Sequence, residues 1–280
     1  MTDNRAIGVF DSGIGGLTVL REIWNAVPGE STVYFGDNSR APYGTKSRST
    51  VIRYSLQNMK FLESKDVKMI VVACNTASAY AYEVLKARAD VPVVEVVTPG
   101  ADKACRATRN GKIGIIATKA TVSTGVYKDA VEKRAAELGM KEIKIFQQAC
   151  PLFVSLAEEG WWDTEVTRLT AEEYLKPLKE AGVDTLVMAC THYPLLSKVI
   201  GEVMGEGVTL VNTGEATASV VKELLDSEGI ASEVTGTDPV REFYTSDEPE
   251  LFEKVAAPFL GEGLPSGTKH FTTDRYEVTI

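Results

Sequence analysis

Val71-Val72-Ala73-Cys74-Asn75-Thr76 and Val187-Met188-Ala189-Cys190-Thr191-His192 are two versions of one design: an apolar run, a cysteine, then small polar residues. Each run has the length and β-branched content of a buried strand, and an amphipathic stretch follows the first, Ala77–Arg88. Upstream of each lies a second matching pair, Ile7-Gly8-Val9-Phe10-Asp11-Ser12 and Ile113-Gly114-Ile115-Ile116-Ala117-Thr118. The order is the same in both halves, and the gaps are alike: 63 residues from Asp11 to Cys74, 72 from Thr118 to Cys190. The pattern predicts two similar domains related by a pseudo-two-fold axis.

Working outward, strands are expected at Ala6–Phe10, Thr32–Phe35, Met69–Ala73, Val93–Val97, Ile113–Ala117, Ile143–Gln147, Thr185–Ala189 and Val208–Val211. Helices are expected at Leu17–Ala26, Thr50–Lys65, Ala77–Arg88, Val126–Leu138, Trp162–Ala181 and Glu215–Glu228. This alternation predicts an α/β fold with mainly parallel sheets flanked by helices. The first domain is placed at residues 1–97 plus 208–280 and the second at 98–207. The tail Gly261–Ile280, mixed in Gly, Pro, Thr and charge, reads as a surface extension.

Composition narrows the function. Of 280 residues, 44% are hydrophobic and 25% charged, as in ordinary globular chains. The net charge of -9, without a Lys/Arg-rich stripe, argues against nucleic-acid binding and leaves any anionic ligand to local dipoles. No apolar run of membrane-spanning length occurs, and no basic, apolar leader precedes the first strand, so a cytoplasmic location is expected. The four cysteines, at 74, 105, 150 and 190, match no zinc spacing and form no C-x-x-C. Cys105 and Cys150 read as small buried residues.

Cys74 and Cys190 each stand at the carboxyl end of a strand, where open α/β sheets bind ligands and helix N-termini offer N–H groups. One such cysteine alone reads as a tight-turn core residue; two at equivalent places read as a pair. Inverting a stereocentre needs a base on one face and an acid on the other, and two thiols in opposite protonation states serve both directions. The reference cysteine pKa of about 8.5 lies close enough to neutrality for either form. His192 would favour a thiolate at Cys190. Asp11 could orient or assist Cys74, or Asp11 or Ser12 could cap the following helix; the two roles are compatible.

The run Asp11-Ser12-Gly13-Ile14-Gly15-Gly16-Leu17-Thr18 completes neither G-x-G-x-x-G nor a P-loop, so close backbone approach to a small ligand is the better reading. Ala41-Pro42-Tyr43-Gly44-Thr45 reads as a turn that either merely connects or offers backbone N–H groups and a Tyr wall to an anion. Asn75, Thr76, Thr118, Thr121 and Thr191 cap or turn singly, and as a group suit the charged ends of an amino acid. Glu158 and Glu159 read as surface acids at a helix end.

Asp11 to Val19, Pro42-Tyr43-Gly44, Ala73 to Ser78 and Cys190-Thr191-His192-Tyr193-Pro194-Leu195 resemble the signature segments of the glutamate racemase family. Thr118-x-x-Thr121, Glu158-Glu159-Gly160 and Phe243-Tyr244-Thr245-Ser246-Asp247 are also similar, and the likeness spans roughly residues 6–247 in order. The related aspartate racemases share the two-cysteine plan, but Cys-Thr-His resembles the glutamate branch. Ala189 stands where the family often has Gly. The resemblance implies an active site in the cleft between two α/β domains, interconversion of L- and D-glutamate, no cofactor and no metal. It also implies a role in supplying D-glutamate for peptidoglycan, hence in cell wall and cell shape, and a homodimer. Cys74 would take the proton from D-glutamate and Cys190 from L-glutamate. Asp11 and His192 would assist, with Glu158, or Glu159 if the alignment shifts, near His192. Ser12, Pro42, Tyr43, Gly44, Asn75, Thr76, Thr118, Thr121 and Thr191 would line the substrate, together with Asp11 and His192. Racemisation of another acidic amino acid, or plain binding of a small anion, is what a turnover assay over several substrates would separate.

Overall fold

Strands apolar along their whole length can be satisfied only between two helical layers, and both sheets of the structure are built so. The computed structural model describes residues 2–233, 238–261, 263–264 and 266–279. The chain divides into two units, Met1–Val96 with Thr217–Ile280, and Val97–Ala216.

The first unit opens with β1 (Ile7–Asp11), α1 (Leu17–Ala26), β2 (Thr32–Gly36), α2 (Arg48–Glu63), β3 (Met69–Val72), α3 (Asn75–Lys86) and β4 (Val93–Glu95). The second holds α4 (Val97–Ala107), β5 (Lys112–Ala117), α5 (Lys119–Thr124), α6 (Val126–Glu137), β6 (Lys144–Ala149), α7 (Leu152–Glu158), α8 (Glu165–Ala181), β7 (Thr185–Ala189), α9 (Ser197–Met204) and β8 (Thr209–Asn212). Within α10 (Thr213–Glu228) the chain passes back to the first unit, which β9 (Arg241–Thr245), α11 (Pro249–Leu260) and β10 (Thr268–His270) complete.

The first sheet runs β10-β9-β2-β1-β3-β4 and the second β6-β5-β7-β8, with neighbouring strands parallel in both. Taken in chain order, β2-β1-β3-β4 and β6-β5-β7-β8 are the same arrangement. In each, the first strand lies between the second and the third, and the chain reverses direction across the sheet at that point. Crevices at such switch points are where doubly wound sheets take ligands.

Alternation within each strand divides the core. Ile116, Leu186 and Met188 pack under α7, α8 and α9, while Ile115, Val187 and Ala189 face the other way into the layer of α4 and α6. In the first unit, Phe10, Phe35 and Val72 pack with Leu56, Phe61 and Leu62 of α2. Trp24 of α1 meets Phe243 edge-on at 6.1 Å, and Tyr34 meets Phe252 of α11 at 6.2 Å, on the opposite face.

Three departures from the sequence reading concern the bounds of the units, the start of one helix and the tail. β8 pairs with β7, Thr185 opposite Thr209, so residues 208–216 belong to the second unit and the return falls inside α10 rather than at 208. The helix expected from Trp162 begins at Glu165, because the Thr164 hydroxyl accepts the Thr167 N–H at 3.3 Å and caps it there. The tail is no loose extension where it is described. β10 adds to the sheet edge beside β9, and the Phe271 ring packs at a tilt against Phe61, centroids 4.2 Å apart. Residues 262, 265 and 280 of that tail lie outside the described residues.

Candidate active site

The first group of site residues gathers at the carboxyl ends of β1 and β3. These strands are paired, Phe10 opposite Val72, and the Ala73 N–H donates to the Phe10 carbonyl at 2.9 Å. Asp11 therefore ends its strand beside the start of the Cys74 turn. Asp11 does not cap α1, whose N-cap is Gly16 without a side-chain bond. Its Oδ2 instead accepts the Gly13 N–H at 2.9 Å and folds the glycine loop back on itself. The Tyr34 hydroxyl donates to the Gly13 carbonyl at 2.8 Å. Glycine is required at 16: a Cβ there would stand 2.4 Å from Asp11 Cβ and 2.8 Å from the Tyr34 hydroxyl. Overpacking of that kind costs about 1–3 kcal/mol and would push Asp11 out of place.

Cys74 is the N-cap of α3, and its sulfur accepts the Ala77 N–H at 3.4 Å. The thiol donates to Ser12 Oγ at 3.6 Å. Only 5% of the residue is exposed. Burial, and then the Asp11 carboxylate, push the Cys74 thiol up to about 12; the bonds from Ala77 and Ser12 oppose this without overcoming it. Here the structure differs from the sequence expectation of a thiol poised near neutrality. The helix N-terminus favours an anion, but desolvation and a neighbouring carboxylate win. Asn75 and Thr76 open α3 and are buried.

The Pro42–Gly44 turn also belongs to this group. The 3₁₀ turn Tyr43–Thr45 packs against α3, and Gly13 lies close to Ala41. Tyr43 is not a wall. Its ring is buried in the core with Cys74 and Ala77, and its hydroxyl points to the Asp37 carboxylate. What the turn can offer a ligand is backbone.

The second group sits at the equivalent place in the second unit. Ala117 and Ala189 are partners at the ends of β5 and β7. After β5, the Thr118 hydroxyl caps α5 by accepting the Thr121 N–H at 3.2 Å, and the two hydroxyls stand 3.0 Å apart. After β7, Cys190 Sγ lies 3.8 Å from His192 Nδ1, and Thr191 Oγ1 lies 3.5 Å from the same nitrogen. On the far side of the ring, Nε2 meets Glu158 Oε1 at 2.9 Å. Of the two acids left open by the sequence, Glu158 is the one that meets His192. It is delivered by α7, whose approach is anchored where the Tyr193 hydroxyl donates to the Cys150 carbonyl at 2.9 Å.

Burial works against charge on His192, but hydrogen bonds with Cys190 and Glu158 outweigh it and raise the imidazole to about 10. A cation is thus held against the Cys190 sulfur, while a carboxylate stands near Cys74. The two cysteines occupy like positions with opposite electrostatic partners. Cys105 and Cys150 are buried too; burial pushes both thiols up, and each sulfur contacts a backbone carbonyl, of Val131 and Gln148 respectively.

A pH dependence of stability follows from His192. Its folded pKa is raised, so its stabilising charge is fully in place below the ordinary value of 6.5 and is lost as pH rises through about 10. The melting-temperature gap between the wild type and His192→Gln is expected to shrink steadily across that window. A gap that is flat or widens between those values would contradict the assignment of charge.

Residues 7–221 match the family model described as Asp/Glu/Hydantoin racemase. A glutamate racemase of Geobacter metallireducens is 51% identical over 93% of this chain and 94% of its own length. The crystal structure of a Bacillus anthracis glutamate racemase superposes with a TM-score of 0.90 at 35% identity, covering 96% of this chain and 98% of that one. A Francisella tularensis glutamate racemase solved in complex with D-glutamate gives 0.89 at 34% identity, covering 98% and 100%. The chain belongs to the Asp/Glu/Hydantoin racemase family, and within it to the glutamate racemases.

Proposed function

We propose that this protein interconverts L- and D-glutamate by proton transfer between two cysteines, with neither metal nor pyridoxal phosphate. The observation that carries the reading is the equivalence of Cys74 and Cys190, each within two residues of the end of the third strand of a matching arrangement. The reading requires the two thiols to address opposite faces of one α-carbon. Cys190, beside the cationic His192, acts as base on L-glutamate. The Cα–H bond breaks, its electron pair stays on the α-carbon, and the proton passes to sulfur. Cys74, held as a thiol by burial and Asp11, gives its proton to the other face. The reverse direction exchanges the roles. Glu158 orients His192, and Asp11 orients Cys74 through the glycine loop. Ser12, the backbone of the Pro42–Gly44 turn, Asn75, Thr76, Thr118, Thr121 and Thr191 hold the charged ends of the substrate.

A function in supplying D-glutamate for peptidoglycan, a cytoplasmic location and a homodimer belong to the same proposal, by likeness to the family. No described helix is long and apolar enough to cross a membrane.

Circular dichroism of L-glutamate tests the proposal. Protein treated exhaustively with EDTA, with no pyridoxal phosphate added, is expected to carry the signal to zero as the racemate forms. Chelation that stops turnover, with metal restoring it, would defeat the cofactor-free mechanism. A steady signal from folded, untreated protein would leave a binding module as the better reading, and turnover of aspartate in preference to glutamate would reassign the substrate.

A further inference from the structure

Asp37 is wholly buried at the end of β2, the strand next to β1, and no proposed step of the reaction uses it. It is the meeting point of a polar network in the first unit. Arg40 Nε donates to both of its carboxylate oxygens, at 2.9 and 2.8 Å. The Tyr43 hydroxyl donates to Oδ2, and the Ser246 hydroxyl, just past β9, donates to Oδ1 at 2.9 Å. Its backbone N–H donates to the Asp11 carbonyl at 3.1 Å. Every one of these bonds reaches a segment of the candidate site or a support for one.

The network extends beyond the carboxylate. Asn58 Nδ2 of α2 donates to the Tyr43 hydroxyl at 3.1 Å. Arg40 Nη1 donates to Gln57 Oε1 at 2.6 Å and to Asp274 Oδ1 at 3.0 Å, and Nη2 donates to Asn58 Oδ1 at 3.1 Å. Gln57 Nε2 donates in turn to the Tyr276 carbonyl at 3.0 Å. The segment after β10 is therefore tied to the same arginine that holds Asp37.

We propose that Asp37 is a positioning residue that fixes the Pro42–Gly44 turn, through Tyr43 and Arg40, in the geometry that presents its backbone to the substrate. This inference rests on the reading of the turn as part of a glutamate site. A buried carboxylate accepting several charge-assisted and hydroxyl bonds holds its donors far more rigidly than water could. Tyr43 is anchored at its hydroxyl, so the main chain at 43 and 44 has little freedom to drift. Ser246 ties the same carboxylate to the end of β9, which gives the Thr245-Ser246 motif a purpose that needs no substrate contact.

The effect to look for is in substrate binding rather than in the proton transfers, because Asp37 touches neither sulfur. Full-length wild type, Asp37→Asn and Ser246→Ala are checked for an unchanged far-ultraviolet spectrum and a cooperative melt, then assayed with L- and D-glutamate. Asp37→Asn is expected to raise KM about ten-fold or more in both directions while kcat falls by less than about three-fold. Ser246→Ala, which removes one bond to the carboxylate, is expected to raise KM about three-fold. Unchanged KM in the folded variants, or a fall in kcat without a rise in KM, overturns the inference. Should Asp37→Asn fail to fold, Ser246→Ala and Asp274→Asn decide it alone: unchanged KM in both overturns it. A wild type that turns over no glutamate removes the underlying reading and this inference together, whereas turnover with unmoved KM values removes this inference only.

Discussion

Alanine at either Cys74 or Cys190 is expected to abolish racemisation of glutamate in both directions. Each direction needs a base on one face and an acid on the other, so neither thiol can be spared. A general acid or base contributes about 10²–10⁴-fold, and the loss in each single variant should reach at least that range. The variants should not be inert. An analogue with a leaving group at the β-carbon or on nitrogen needs only the base for elimination. Cys74→Ala should still eliminate from the L-analogue through Cys190, and Cys190→Ala from the D-analogue through Cys74. The opposite preference would exchange the faces assigned to the two cysteines. Racemisation near the wild-type rate in either variant would end the two-base mechanism.

The second large effect is a difference between the two thiols in the absence of substrate. With its pKa near 12, Cys74 is almost wholly protonated at neutral pH. At pH 8 its thiolate fraction is about 10⁻⁴, against about a quarter for an ordinary cysteine, so alkylation at Cys74 should be about 10³-fold slower than at a free thiol. Cys190, in contact with a cationic imidazole, should be labelled first, ahead of Cys74, Cys105 and Cys150. Asp11→Asn removes the carboxylate that stands second only to burial in raising Cys74. Labelling of Cys74 should then accelerate, because the charge that opposes its thiolate is gone. Peptide mapping by mass spectrometry after a brief pulse reads all four positions at once. Equal labelling of Cys74 and Cys190, or no response of Cys74 to Asp11→Asn, would refute this electrostatic account.

The asymmetry was only half visible in the sequence. His192 lies two positions from Cys190, and the family resemblance points to Glu158 as its neighbour. Asp11 was visible as the end of a strand, but its effect on Cys74 depends on burial, and the depth of a side chain is a property of the whole packed unit. The strands that carry the cysteines were legible because both faces are covered and nearly every residue is apolar. β10 was not: Thr268-Lys269-His270 has no apolar residue and is held by backbone pairing at a sheet edge. α4 and α11 escaped because Pro99-Gly100 and Pro249 stand in their first turns, where proline is tolerated but reads as a break. Gly100 has a tertiary reason, since a Cβ there would lie 2.9 Å from Thr213 Cγ2. Asp37 carried no local signal because one of its partners, Ser246, is about two hundred residues away.

That separation bears on how the protein is made. β2 pairs on one side with β1, close in the chain, and on the other with β9, where Thr32 meets Arg241. While the polypeptide emerges from the ribosome, the second unit, Val97–Ala216, is available in one continuous piece before the first can be finished. Until β9 arrives, the nascent first sheet carries an open edge along β2, and the Asp37 carboxylate lacks Ser246. An open parallel edge is a template for pairing with another chain. A truncation before residue 241 would leave that edge permanently uncovered.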